Sequence, residues 1–220
     1  MRLILEFEGL LADAMPVLYA VHRAAAASVG WSRLDEATFR RLIRTKGRDA
    51  DVLPGAKAVK VEAYERAFQE RVEEDASITS LGAPSRVAES LRQLGRFGTI
   101  VAVTLGTNVE ARRAWLERQD WSGSIESFER LDADPRRRPA ELRILSASDS
   151  RTVVVATSDA LVRSADAADL FTAAVSSGAS SVKRLQQAGP QVVYRELAEL
   201  ADSLKAGGAD LVRAGLLPLA

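Results

Sequence analysis

The chain opens on Leu3-Ile4-Leu5-Glu6-Phe7-Glu8-Gly9-Leu10-Leu11, and no other stretch restricts the fold as strongly. A short apolar run bounded by a turn signal reads as a strand buried on both faces, as in a parallel sheet. Side chains alternate along a strand, so Glu6 and Glu8 are expected to point the same way. The carboxyl end of a parallel strand borders the crevice where open α/β sheets bind ligands. Two carboxylates side by side there repel each other, which costs stability unless a cation or a proton relieves it.

The rest of the chain supplies partners for such a strand. Leu18, Val21, Ala25 and Val29 predict a helix over 14–30 that stops at Gly30. Phe39, Leu42 and Ile43 predict a second over 35–45, and Pro54-Gly55 a turn. Val61, Tyr64, Phe68 and Val72 stripe a third over 57–75. Three helices in succession, with no strand between them, read as a small bundle inserted after the first strand. From residue 82 the rhythm changes. Gly82-Ala83-Pro84 is a break, with Pro84 suited to the first turn of a helix through Val87, Leu91 and Leu94. Strands are expected at Thr99–Thr104, Ile125–Phe128, Thr152–Val155, Thr172–Val175 and Gln191–Tyr194, with helices between them. Thr107-Asn108-Val109-Glu110 fits a capping box with Thr107 as N-cap. Strands alternating with helices imply βαβ units and a doubly wound parallel sheet.

The opening stretch resembles the first motif of the haloacid dehalogenase (HAD) superfamily: a hydrophobic run, then Asp-x-Asp-Gly-Thr/Val-Leu. Glu6-Phe7-Glu8-Gly9-Leu10-Leu11 keeps its shape, with glutamates in place of both aspartates. The resemblance extends over nearly the whole chain and is to the helical-cap branch that includes phosphoglycolate phosphatase and β-phosphoglucomutase. It implies a Rossmann-type α/β core over 1–13 and 83–220, with a helical cap over 14–82. It implies that the residue at Glu6 attacks phosphorus, that the one at Glu8 is general acid/base, and that both help bind magnesium. Val101-Ala102-Val103-Thr104 matches the second motif, which places Thr104 on the phosphoryl group. Arg138-Pro139 falls where the third motif has lysine. Arginine keeps the charge but exchanges a compact ammonium for a planar fork.

The fourth motif, Gly-Asp-x-x-x-Asp, supplies magnesium ligands in the family. The aligned residues here are Ala156-Thr157-Ser158-Asp159-Ala160-Leu161, so Thr157 and Leu161 stand at the acidic places, and Asp159 is out of register. Magnesium wants near-octahedral oxygen ligands and is usually held by one or two carboxylates plus waters. Only Glu6 and Glu8, with Asp159 as a further vestige, remain as candidate ligands. Glutamate for aspartate moves a nucleophile by about 1 Å or more, and misplacement on that scale can cost roughly 10²-fold in rate. The expectation is a catalytically impaired HAD-like protein, a pseudoenzyme with a ligand- or partner-binding role and no cofactor. The alternative is a weak phosphatase of small phosphorylated metabolites that uses Glu6 and needs magnesium.

Bland roles compete at several positions. Arg136–Arg138 reads equally as a solvated basic loop. Asp159 suits the first turn of a helix, facing its dipole. His22, the single histidine, lies beside the apolar stripe of its helix and reads as structural, and Trp31, Trp115 and Trp121 read as packing residues. The absence of cysteine excludes disulfides, thiolate metal sites and cysteine nucleophiles. Lys+Arg and Asp+Glu are equal at 30 each, which argues against nucleic acid or an anionic membrane as partner. A small phosphorylated ligand and a cytoplasmic location complete the expectation.

Overall fold

A computed structural model describes residues 1–46, 52–146 and 151–216, apart from the side chains of Lys46 and Asp210. Strand β1 (Arg2–Glu6) comes first. Helices α1 (Met15–Ser28), α2 (Glu36–Lys46), α3 (Ala58–Val72) and α4 (Asp75–Thr79) follow before the chain returns. Then come α5 (Val87–Leu94), β2 (Thr99–Thr104), α6 (Val109–Glu117), β3 (Ser127–Arg130), α7 (Arg138–Ser146), β4 (Thr152–Ala156) and α8 (Asp159–Asp166). The chain closes with β5 (Phe171–Val175), α9 (Val182–Gln187), β6 (Val192–Tyr194), α10 (Leu197–Lys205) and α11 (Ala209–Arg213).

Among the described residues the strands form one sheet in the order β3-β2-β1-β4-β5-β6, and every pairing is parallel. β1 lies between β2 and β4, so the strand order reverses on either side of it, and the crevice at that reversal opens beyond Glu6. The alternation of side chains divides two cores. Leu3 and Leu5 join Ile100, Ala102, Leu91, Trp115 and Leu200 on one face. Ile4 joins Val103, Val154, Leu142, Leu161 and Leu185 on the other. Leu3, Ile4 and Leu5 are fully buried, and each contributes about 1.5–3 kcal/mol by leaving water. The helical insertion has its own cluster around Val21, Phe39, Tyr64 and Phe68.

Several boundaries differ from the sequence expectation. A short α4 adds a fourth helix to the insertion. Pro84 precedes α5 instead of starting it, because Arg86 adopts a left-handed φ of 64° just before Val87. β3 begins at Ser127, two residues later than expected. The N-cap of α6 is Asn108, whose side chain accepts from the Ala111 amide, and not Thr107. Of the C-terminal stretch, residues 217–220 lie outside the described residues. No helix of the described residues is long and apolar enough to cross a membrane.

Candidate functional site

Glu6 ends β1 on the face of Ile4 and is 3% exposed. Its carboxylate is surrounded by donors from the turn between β4 and α8. Oε2 accepts from the Thr157 amide at 2.6 Å, the Ser158 amide at 2.8 Å and the Thr157 hydroxyl at 3.1 Å. Oε1 accepts from the Ser158 hydroxyl at 2.5 Å. Ser158 is also the N-cap of α8 and accepts from the Leu161 amide, so Glu6 sits where a helix start favours an anion. Burial pushes the Glu6 carboxyl above the usual carboxylate range. The bonds from Ser158 and Thr157 oppose that rise, the charge of Glu8 adds to it, and the net direction is upward.

Glu8 lies two residues beyond the end of β1. The strand stops at Glu6, and Gly9 turns the chain at a φ of 81°. The two carboxylates therefore bond in different directions, Glu6 toward β4 and Glu8 toward β2. Glu8 Oε1 accepts from the Thr104 hydroxyl and from Arg112 Nε, both at 2.7 Å. Thr104 in turn accepts from the Gly106 amide at 2.9 Å. Arg112, on α6, is almost buried and also grips Glu73, which follows α3. Its Nη1 and Nη2 donate to the two Glu73 oxygens at 2.7 and 3.1 Å. Glu73 also accepts from the Thr107 and Asn108 amides at 3.0 and 2.7 Å. Burial raises the Glu73 carboxyl, but Arg112 and the Asn108 amide outweigh it and hold the group below its ordinary range.

This triad ties the helical insertion to the sheet across the crevice. The space left between Glu8, Arg112 and the apolar Val17, Leu18 and Ile78 is about 50 Å³. A water takes roughly 30 Å³ of liquid, and ligand pockets run to several hundred.

The structure brings Glu6, Glu8 and Thr104 together and puts the other two candidates to work elsewhere. Arg138, at the start of α7, donates from Nε to the Asp132 carbonyl and from Nη2 to the Ala133 carbonyl, both at 2.7 Å. Asp159 bonds Arg184 and Ser180 and pairs with Arg163 at 2.7 Å. Burial raises Asp159, but Arg163, Arg184 and Ser180 together bring it below its ordinary range.

The donor chemistry does not fit magnesium. A divalent cation needs oxygens that present lone pairs, whereas Glu6 Oε2 faces two N–H groups and a hydroxyl. The Thr157 hydroxyl lies 2.6 Å from the Glu8 carbonyl oxygen and 3.1 Å from the Glu6 carboxylate, between the two oxygens. Among the described residues no group of three or more His, Cys, Asp or Glu is placed to hold a metal. His22 is wholly buried in the insertion, with Nδ1 2.9 Å from the Tyr64 hydroxyl, and its ring stacks on Phe39.

Arg112, Glu73 and Ser158 escape a reading by motif. Arg112 leaves one trace: it shares the buried side of its helix with Trp115 and Leu116, where a lone charge demands a partner. Glu73, distant in sequence, leaves none.

Neither a family model nor a curated protein matches the sequence. Solved structures do resemble it in fold. A haloacid dehalogenase-like family hydrolase from Streptococcus pneumoniae aligns with a TM-score of 0.75 at 9% identity, covering 92% of this chain and 97% of its own. A predicted phosphatase from Clostridium acetobutylicum gives 0.72 at 11%, covering 93% and 98%. A predicted phosphoglycolate phosphatase from Haemophilus somnus gives 0.68 at 15%, covering 94% and 97%. The chain thus has the HAD-like α/β fold, with neighbours among hydrolases and phosphatases.

Proposed function

We propose that this chain is a non-catalytic protein of the phosphatase type, a pseudoenzyme that acts by binding, with residues 14–82 as its cap. The observation that supports the reading is the state of Glu6. A nucleophile must present a lone pair to phosphorus, and in this carboxylate Oε2 accepts from the Thr157 and Ser158 amides while Oε1 accepts from the Ser158 hydroxyl. Glu8 is likewise committed, to Thr104 and Arg112. Arg138 spends two of its nitrogens on loop carbonyls, so the charge that would neutralise a phosphate is engaged elsewhere. The reading takes a small phosphorylated molecule or a protein as partner and the cytoplasm as location, with neither nucleic acid nor a membrane involved.

The test is p-nitrophenyl phosphate hydrolysis with magnesium, beside Glu6→Ala. The expected result is turnover no higher than that of the variant. Magnesium-dependent turnover abolished by Glu6→Ala would overturn the reading. A second reading, a weak metal-dependent phosphatase, draws support from the 2.7 Å contact that keeps Thr104 beside Glu8. That version requires activity to respond to divalent metals, and indifference to them would remove it.

A further inference from the structure

A second polar cavity lies where the helical insertion meets the sheet on the β5 side. Its volume is about 290 Å³, and neither Glu6 nor Glu8 lines it. Arg40 and Arg44 face it from α2, one turn apart. Asp13 and Ser85 come from the two points where the chain passes between insertion and sheet, and Ser177 and Gly178 from the turn after β5.

We propose that this cavity binds a small oxyanion, a phosphate or a carboxylate, between the two guanidinium groups. Arg44 is half-buried, and its Nη2 donates to the Ser176 carbonyl at 2.8 Å. Among the described residues no carboxylate pairs with it. A partly desolvated guanidinium that no described carboxylate pairs gains from an oxyanion received by its fork. Arg40 pairs with Glu36 at 2.7 Å, but both side chains are more than 40% exposed, and an exposed pair of this kind is readily exchanged for a ligand. Asp13 is the one carboxylate in the lining, and its Oδ1 accepts from the Met15 amide at the start of α1. The lining thus places two guanidinium groups, Arg40 and Arg44, opposite a single lining carboxylate, Asp13. Ser177 donates to the Gly9 carbonyl at 2.7 Å, while Ser85 is exposed at the rim. The volume suits a small ligand. An occupant would touch α2, both chain crossings and the β5 turn at once, so its binding energy would depend on how the insertion sits on the sheet.

Calorimetric titration of the intact protein tests this, with inorganic phosphate and with malonate at fixed ionic strength and chloride as control. The expected result is saturable binding of one or both, weakened at least about tenfold by Arg40→Gln and by Arg44→Gln. Arg113→Gln, in a different cavity, should leave it unchanged. Binding of phosphate alone identifies a phosphate ester as the source, and binding of malonate alone a carboxylate. Because Arg44 also anchors the Ser176 carbonyl, Ser85→Asp serves if Arg44→Gln fails to fold, and its carboxylate at the rim should abolish binding. No saturable binding of either anion, or binding that survives both Arg40→Gln and Ser85→Asp, overturns the proposal. Such a failure leaves the reading of Glu6 untouched.

Discussion

Thr157 lies across Glu6, its amide and its hydroxyl reaching the same carboxylate oxygen at 2.6 and 3.1 Å. A threonine there supplies hydrogen-bond donors where the resembled motif has an acid, and those bonds hold Glu6 from within the chain.

Replacing the donor with an acid should reverse the exchange. Thr157→Asp puts a second carboxylate against a buried one, and in metal-free buffer it should destabilise the fold by about 3 kcal/mol. Millimolar magnesium should recover part of that loss in the variant and leave the parent unchanged. Urea unfolding with and without magnesium measures both. A variant as stable as the parent without metal would show that the Thr157 bonds matter little.

The pH dependence of stability has a definite sign. The Glu6 carboxyl is raised in the fold, so between the ordinary value of 4.5 and its raised value the native state holds more proton than the unfolded one. Its contribution is complete below 4.5 and is lost as pH rises through the folded value. Glu6→Gln, which resembles the protonated acid, should become progressively more stable relative to the parent across that window. Glu73 has the opposite sign, because its carboxyl is held low. Its contribution is present above 4.5 and disappears as pH falls through the folded value, so Glu73→Gln should cost most near neutrality and converge on the parent in acid. Unfolding midpoints across roughly pH 2 to 9, which brackets the ordinary carboxylate values, check both signs.

The triad of Glu8, Arg112 and Glu73 should behave as one unit. Arg112→Leu leaves two carboxylates facing each other without their cation and should cost about 3 kcal/mol. A cycle of Arg112→Leu with Glu73→Gln should give a coupling of about 1–3 kcal/mol, little reduced by salt because Arg112 is almost buried. Coupling that vanishes in moderate salt would mean that the contact is solvent-screened and does not hold the insertion down.

Gly9 should not tolerate a side chain. A Cβ at Gly9 would meet the Gly178 Cα at 2.6 Å and the Thr157 hydroxyl at 2.9 Å, and the backbone φ there is 81°. Gly9→Ala should therefore destabilise by about 1–3 kcal/mol from overpacking, with strain added. Thermal unfolding measures it, and a neutral result would place the turn elsewhere.

Restoring aspartate at positions 6 and 8 together should not restore strong phosphatase activity. Thr157 and Leu161 would still occupy the places of the missing acids, and Arg138 would still bond loop carbonyls. Robust turnover of p-nitrophenyl phosphate by the double variant would show that the fourth motif matters less than argued.

The fold was legible because β1 and the strands from Thr99 onward are short apolar runs set between amphipathic helices, and that rhythm admits few packings. The pairing of Glu6 with Thr157 was half visible: an alignment on Val153-Val154-Val155 puts a threonine in an acidic place, but not its hydroxyl on the Glu8 carbonyl. The partners of Glu8 were not legible, because Thr104 and Arg112 are brought to it by β2 and α6. Glu73 was invisible, since a contact between residues 73 and 112 depends on how the insertion lies on the sheet. Thr107 and Asn108 are both good cap residues, and Glu73, by taking both their amides, accompanies the choice of Asn108.

The most direct measurement is calorimetric titration of the purified protein with magnesium, repeated with manganese. If donors from Thr157 and Ser158 fill the coordination space of Glu6, neither ion should give a saturable heat at millimolar concentration, and Glu6→Gln should look identical to the parent. One ion bound per chain, with binding lost in Glu6→Gln, would contradict the account.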